Sequence, residues 1–254
     1  MNPDNNERIR FAAQLISKAE HLVLFTGAGI STPSGIPDFR SAGTGLWQKQ
    51  DPMKVASATA FKYQSEEFFT WLRPLLRSSL AANPNPAHQI IARFEKAGLI
   101  KAVITQNIDG LHQLAGSINV IELHGTMRSF HCSACHKLEK NADQLIAKIL
   151  AGVLPCCIYC GALMKPDITL YKERLPEKAW KMASQQVRWA DVVLVAGSSL
   201  EVTPAASLPY DAVLNGSRLV VVNYAPTYLD PRADIVLHLD VAQALPEIFS
   251  FCKS

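Results

Sequence analysis

The sequence has 254 residues, of which 48% are hydrophobic and 19% charged, and its formal net charge is +3 at pH 7. High apolar content with little charge excludes an intrinsically disordered chain, and this length predicts one or two domains. The near-neutral charge predicts no nucleic-acid partner. No apolar run approaches the roughly 20 residues of a membrane-spanning helix, and the first residues lack a signal-peptide core, so we expect a cytoplasmic protein without membrane association.

Short apolar runs of strand length recur along the chain and alternate with helical patterns. Most are continuous Val, Ile and Leu, which is typical of parallel strands covered on both faces. Helical periodicity precedes the first run at 9–19 and the second at 90–97, where Gly98 suits a helix C-terminus. The pattern predicts a doubly wound α/β sheet. The runs lie at 22–25, 102–104, 120–123, 192–196, 219–222 and 235–239.

Residues 126–174 interrupt this α/β rhythm, which resumes near Leu175. We predict that they form a small module inserted into a larger domain made of residues 1–125 and 175–254. A second irregular stretch, 41–83, contains a helical pattern at 66–76, and we expect it to associate with the small module.

Four of the six cysteines form two Cys-x-x-Cys pairs, and 21 residues separate Cys135 from Cys157. The pairs supply four thiolates, Cys132, Cys135, Cys157 and Cys160, which suit one tetrahedral Zn²⁺. Because protein ligands fill all four positions, we predict a structural zinc rather than a catalytic one. A reducing compartment disfavours disulfides. Four ordinary reduced thiols and a redox pair are the alternatives.

Three neighbouring residues compete for a place in this zinc site. Cys156 adjoins Cys157, but Cys156-x₃-Cys160 is a poorer ligand spacing, so we assign Cys157. His131 and His136 stand beside the first pair and could replace a thiolate in principle, although such residues are more often on the surface. Cys156 and Cys252 have no assigned role.

The first predicted strand is followed by Gly27-Ala28-Gly29, where a Gly-x-Gly turn allows backbone N–H groups to approach a pyrophosphate. The standard dehydrogenase fingerprint is not satisfied, because Thr32 stands at the third glycine position and no acidic residue follows about 20 positions later. A plain strand-to-loop turn is the alternative interpretation of these glycines.

Polar clusters follow further predicted strands or adjoining loops, which is the edge where open α/β sheets bind ligands. Amide and carboxylate side chains are costly to bury there without a polar partner. Together the clusters predict a large anionic, ribose-bearing ligand across the sheet edge, with one imidazole available. They contain Asp38-Phe39-Arg40, Gln106-Asn107-Ile108-Asp109, His124, Gly197-Ser198-Ser199 and Asn223.

In their order along the chain these motifs resemble those of the sirtuins, the NAD-dependent protein-lysine deacylases. The resemblance rests on the segments 27–31, 35–40, 105–112 and 124–125, the two cysteine pairs, the segment 197–200 and Asn223, and it spans residues 8–250. It implies a Rossmann-like large domain and a small zinc-binding domain. NAD and an acyl-lysine peptide would enter a cleft between them.

The resemblance also implies roles for individual residues. His124 would be the general base, with Asn107 and Asp109 as further catalytic residues, and Phe39 would shield the reacting ribose carbon. Gln106, Asn107, Ile108 and Asp109 would surround the nicotinamide and its ribose. The phosphate, ribose and adenosine contacts would come from Gly27, Ala28, Gly29, Asp38, Arg40, Gly197, Ser198, Ser199, Asn223 and Val241.

The implied reaction transfers the acyl group from lysine to ADP-ribose and releases nicotinamide and O-acetyl-ADP-ribose. Imidazole titrates near neutral pH in the unperturbed case, so His124 could deprotonate a ribose hydroxyl. Protein mono-ADP-ribosyl transfer at the same NAD site is the alternative enzyme class. A non-enzymatic zinc-knuckle module that senses NAD is a third hypothesis.

Two departures from the family pattern bear on the substrate. In the peptide-binding segment 166–173, Lys172 stands where the family often has glycine. The Tyr and Arg of desuccinylating members align with Phe69 and Leu72, so we expect acetyl or another neutral acyl group. We also expect a monomer whose partner is an acyl-lysine protein or peptide.

Overall fold

The computed structural model describes residues 3–38, 45, 51–139 and 142–252. The predicted cofactor residues Phe39 and Arg40 lie outside this part of the chain. The helices are α1 (Pro3–Ser17), α2 (Pro52–Val55), α3 (Ala58–Tyr63), α4 (Ser65–Ala81), α5 (Pro86–Lys96), α6 (Leu111–Leu114), α7 (Asp143–Leu150), α8 (Glu177–Trp189), α9 (Leu208–Leu214) and α10 (Val241–Ser250). The strands are β1 (Leu22–Thr26), β2 (Ile100–Thr105), β3 (Val120–Glu122), β4 (Gly125–Cys132), β5 (Leu138–Glu139), β6 (Met164–Ile168), β7 (Val192–Ala196), β8 (Arg218–Val222) and β9 (Ile235–Leu237).

Six strands form one parallel sheet in the spatial order β3-β2-β1-β7-β8-β9. Numbered along this sheet alone, the order is 3-2-1-4-5-6, which is that of the Rossmann fold. The predicted doubly wound α/β sheet is therefore confirmed. The strand order reverses between β1 and β7, and the crevice outside their carboxyl ends is where such sheets bind ligands.

Apolar side chains on both faces of this sheet explain the continuous apolar runs. On β1, Leu22 and Leu24 join a core cluster with α1, α5 and α10, whereas Val23 and Phe25 join a second cluster with α8 and α9. Every residue of β1 and β7 is buried. A strand sandwiched between two helical layers has no solvent face, so polar residues are confined to its ends.

A second sheet is antiparallel and has the order β5-β4-β6. Its core is shared with α3 and α4, because Phe130 of β4 packs in one apolar cluster with Phe61, Phe68 and Phe69. The helical pattern predicted at 66–76 lies within α4, beside the sheet that carries the cysteine pairs. β4 begins at Gly125, one residue from the predicted module boundary.

No helix in the described ranges is long and apolar enough to cross a lipid bilayer.

Candidate functional site

Two glycine turns meet where the strand order reverses. The Gly29 N–H donates to the Gly197 carbonyl oxygen at 2.8 Å, which joins the turn after β1 to the turn after β7. A Cβ on Gly29 would lie 2.8 Å from that oxygen, and a Cβ on Gly197 (φ +64°) would lie 2.3 Å from the Ile30 nitrogen. Neither position has room for a side chain, so the contact requires glycine on both sides.

The residues after β2 connect to both of these turns. The Gln106 side-chain amide donates to the Ser198 hydroxyl at 2.9 Å, which spans β1 from β2 to β7. The Asn107 amide donates to the Gly27 carbonyl oxygen at 3.1 Å and to the Ser31 hydroxyl at 3.1 Å. Asn107 is buried, so these bonds fix its amide against the Gly-x-Gly turn.

Asp109 is held in a partly buried position close to this turn. Its carboxylate accepts a hydrogen bond from the Ser31 hydroxyl at 2.7 Å and one from the Leu111 N–H at 2.9 Å. Burial raises the pKa of Asp109, although these two bonds and the charge of Arg128 act in the opposite direction. Ser31 was not predicted to be a site residue. The signal available in the sequence was a hydroxyl side chain two positions after Gly29.

His124 follows β3 and lies beside the same cluster. Its Nδ1 is 2.9 Å from the Gln106 carbonyl oxygen. A carbonyl oxygen only accepts hydrogen bonds, so Nδ1 carries a proton; in the neutral form of the ring, the lone pair is then on Nε2. The carbonyl of His124 accepts from the Thr169 N–H at 2.8 Å, which attaches it to the chain that follows β6. This tautomer suits a general base.

Two further predicted cofactor residues, Ser198 and Asn223, follow the strands β7 and β8. Ser198 and Asn223 are buried, and the Asn223 amide donates to the Ala225 carbonyl oxygen at 2.6 Å. Val241 begins α10, and its side chain packs in the core of the large sheet. Ile108 packs partly against the core of the small sheet. Ala28, Asp38 and Ser199 are partly exposed.

Two buried histidines contact each other next to the end of β1. Neither was predicted from the sequence to be a site residue. The ring centroids of His88 and His112 are 4.9 Å apart, and His112 Nε2 lies 3.0 Å from the Thr26 hydroxyl at the end of β1. Burial lowers the pKa of His112 to about 3 and that of His88 to about 4, so both rings are neutral at pH 7. Single histidines carry no periodic signal that would have revealed the pair.

The structure brings the four predicted zinc ligands together. The sulfur atoms of Cys132, Cys135, Cys157 and Cys160 all lie within 4.8 Å of one another. The distances of 3.3 Å between Cys132 and Cys160 and 3.7 Å between Cys135 and Cys157 approach the roughly 3.8 Å edge of a zinc–thiolate tetrahedron. The donor set and its geometry therefore fit one structural Zn²⁺.

Local contacts favour the thiolate form of Cys132, whereas the neighbouring thiols Cys132 and Cys135 help to raise the pKa of Cys160 to about 11. The backbone N–H groups of Cys135 and Ala134 lie 3.4 Å from the Cys132 sulfur, and they lower its pKa to about 6. His131 Nδ1 lies 2.5 Å from the Asp167 carboxylate, and neither His131 nor His136 belongs to the four-sulfur cluster. Cys156 is exposed and outside the four-sulfur cluster.

A family model described as "Sir2 family" matches residues 27–204. The chain belongs to the Sir2 family. It is 43% identical over 248 residues to "NAD-dependent protein deacylase 2" of Archaeoglobus fulgidus, and the match covers 97% of each chain.

Solved Sir2 structures share the fold as well as the sequence. A chain from work on the mechanism and regulation of Sir2 enzymes superposes with a TM-score of 0.90 at 42% identity, covering 97% of this chain and 98% of that one. A Sir2 complex with a p53 peptide and NAD⁺ gives a TM-score of 0.85 at 39% identity, covering 93% and 95%. The sequence-based assignment to the Sir2 family is thereby confirmed.

Proposed function

We propose that this protein is an NAD-dependent protein-lysine deacetylase that removes acetyl or another neutral acyl group. The observation that carries the proposal is the 2.9 Å approach of His124 Nδ1 to the Gln106 carbonyl oxygen, because it holds an imidazole next to Asn107, whose amide bonds the Gly-x-Gly turn. The deacylase and the peptide–NAD⁺ complex among its relatives support the same activity.

NAD, when bound, supplies an electrophilic ribose carbon whose nicotinamide group can leave. Gly27 and Gly29 allow the pyrophosphate to approach the backbone at the strand switch point, and Ser198 and Asn223 hold the adenosine side. Asn107 and Asp109 orient the nicotinamide ribose, and His124 takes a proton from a ribose hydroxyl.

The acyl-lysine peptide would lie along the segment that follows β6, which is bonded to His124 through the Thr169 N–H. Phe69 and Leu72 of α4 are fully buried apolar side chains, 1% and 0% exposed. Neither offers a cation to a negatively charged acyl group. This supports an acetyl, butyryl or similar neutral substrate over succinyl-lysine.

The zinc is assigned a structural role in the small sheet, since thiolates would fill its coordination sphere. Six unpaired thiols among the described residues suit a reducing, cytoplasmic setting. The proposed enzyme is a monomer. It acts on acyl-lysine proteins and does not bind nucleic acid.

The test is to incubate the protein with NAD and peptides carrying acetyl-, butyryl- or succinyl-lysine. Mass spectrometry of the peptide and measurement of released nicotinamide report the reaction. We expect NAD-dependent loss of the neutral acyl groups and at least 10-fold slower loss of succinyl. Labelled ADP-ribose on protein without loss of acyl would overturn the proposal in favour of ADP-ribosyl transfer.

A further inference from the structure

The chain after β6 makes a tight turn beside the proposed base. The Glu173 N–H donates to the Leu170 carbonyl oxygen at 3.0 Å, which closes a β-turn. Lys172 occupies its third position with φ of +73°. Left-handed backbone is unfavourable for a residue with a Cβ, so surrounding contacts must hold this turn in place.

An ion pair supplies those contacts. The Lys165 ammonium lies 3.0 Å from Glu173 Oε2 and donates to the Ile168 carbonyl oxygen at 2.7 Å. The same Oε2 accepts the Leu170 N–H at 2.9 Å. The Lys165 side chain is 10% exposed and that of Glu173 is 30% exposed, so the cation is largely buried while the carboxylate stays partly solvated. One buried cation therefore fixes both ends of the segment 168–173.

The segment 168–173 connects His124 on one side with the chain between α2 and α3 on the other. The Thr169 N–H donates to the His124 carbonyl oxygen at 2.8 Å. On its other side, the Tyr171 N–H donates to the Ala56 carbonyl oxygen, and the Ala58 N–H donates to the Tyr171 carbonyl oxygen, both at 3.0 Å. A shift of the turn would therefore move backbone that contacts His124.

We propose that Lys165 and Glu173 are positioning residues that hold the segment 168–173 in the shape that receives the acyl-lysine peptide next to His124. The inference rests on the proposed function, because it assigns this segment to the peptide. Neither residue touches the reacting atoms. Their effect passes through the backbone of Ile168 and Leu170, and it concerns the peptide rather than NAD.

The experiment compares Lys165→Met and Glu173→Gln with the conservative Lys165→Arg. The control is the pair Lys181–Glu177, which lies at 2.6 Å on α8 with both side chains exposed, replaced as K181M/E177Q. The measurements are kcat, the separate KM values for peptide and NAD, peptide affinity by calorimetry, and Tm.

We expect Lys165→Met and Glu173→Gln to raise the peptide KM and Kd about 10-fold while the NAD KM changes less than 2-fold. Lys165→Arg should restore both values to within 2-fold, and the α8 control should change neither. Glu173→Gln is the milder variant and decides the matter if Lys165→Met does not fold.

A fall in Tm with unchanged peptide KM and Kd would overturn the inference, since that result marks a merely structural ion pair. A parallel rise in the KM values for peptide and NAD would also overturn it. Calorimetry with the wild-type protein distinguishes failure of this inference from failure of the proposed function. If the wild type binds the peptide but does not deacylate it, only the proposed function is contradicted. Absence of peptide binding by the wild type contradicts both.

Discussion

The imidazole Nδ1 of His124 donates to the carbonyl oxygen of Gln106 at 2.9 Å. Gln106 also donates through its side chain to Ser198, so one residue orients the proposed base and connects β2 to the turn after β7. The tautomer of His124 is thereby determined by backbone geometry, which a side-chain substitution at position 106 would leave in place.

Replacing His124 with alanine should remove the general base. We expect deacetylation to fall by about 10²- to 10⁴-fold, which is the usual contribution of such a group, while NAD binding persists. The rate of acetyl loss from a peptide and the calorimetric Kd for NAD are the measurements. Full activity in His124→Ala would show that another residue accepts the proton.

The substitution Asp109→Asn should raise the stability of the protein and lower its activity. Because burial raises the pKa of Asp109, the folded state binds its proton more tightly than the unfolded state does. The contribution of Asp109 to the free energy of unfolding is therefore fully present at acid pH. It is lost as the pH rises from the pKa of Asp109 in the unfolded chain through its raised pKa in the folded protein.

At pH 7, where the partly desolvated carboxylate is costly, we accordingly expect Asp109→Asn to raise Tm and to lower kcat/KM about 10- to 100-fold. Below the range in which carboxyl groups titrate, the Tm difference should disappear. Thermal unfolding from pH 3 to pH 8 checks the sign, and a lower Tm for the variant at pH 7 would contradict it.

Gly29→Ala tests the contact between the two glycine turns. The new methyl would lie 2.8 Å from the Gly197 carbonyl oxygen, so backbone must move, at a cost of about 1–3 kcal/mol, and the NAD KM should rise. Gly98→Ala is the control, because at φ of +81° it adds backbone strain but meets nothing within 4 Å. Equal NAD KM values in the two variants would argue against the contact.

Zinc content should depend on Cys135 and be independent of Cys156. We expect about one zinc per wild-type chain and a lower Tm and zinc content in Cys135→Ser, because a structural zinc contributes folding free energy. Cys156→Ser keeps the four clustered sulfurs and should match the wild type. Elemental analysis and thermal unfolding with and without a chelator distinguish the two.

The strands and the clustering of the four cysteines were predictable because their signals are local. Continuous apolar runs mark β1 and β7, and the spacing within each cysteine pair encodes a ligand geometry. The spatial order of the strands is a tertiary property, and no periodicity in the chain contains it. The family resemblance supplied the Rossmann-like arrangement, which the structure shows independently.

Within the candidate site, side chains in recognisable motifs were predicted from the sequence and isolated partners were not. Asn107 and Asp109 stood in a polar run after a strand, whereas Ser31 became apparent only through its bonds to both. His88 is separated by 24 positions from His112. Their pairing depends on how α5 packs beside α6, and sequence alone does not determine that packing.

The contact between Gly29 and Gly197 joins turns that are synthesised far apart in time. A nascent chain that has emerged only as far as the cysteine module carries the first turn without the second. At the proposed NAD site, the capacity to hold a dinucleotide would therefore arise late, after β7 and β8 have joined the sheet. A bound dinucleotide would then stabilise completed molecules over unfinished or nicked ones, so that resistance to protease in its presence would report the integrity of the whole chain.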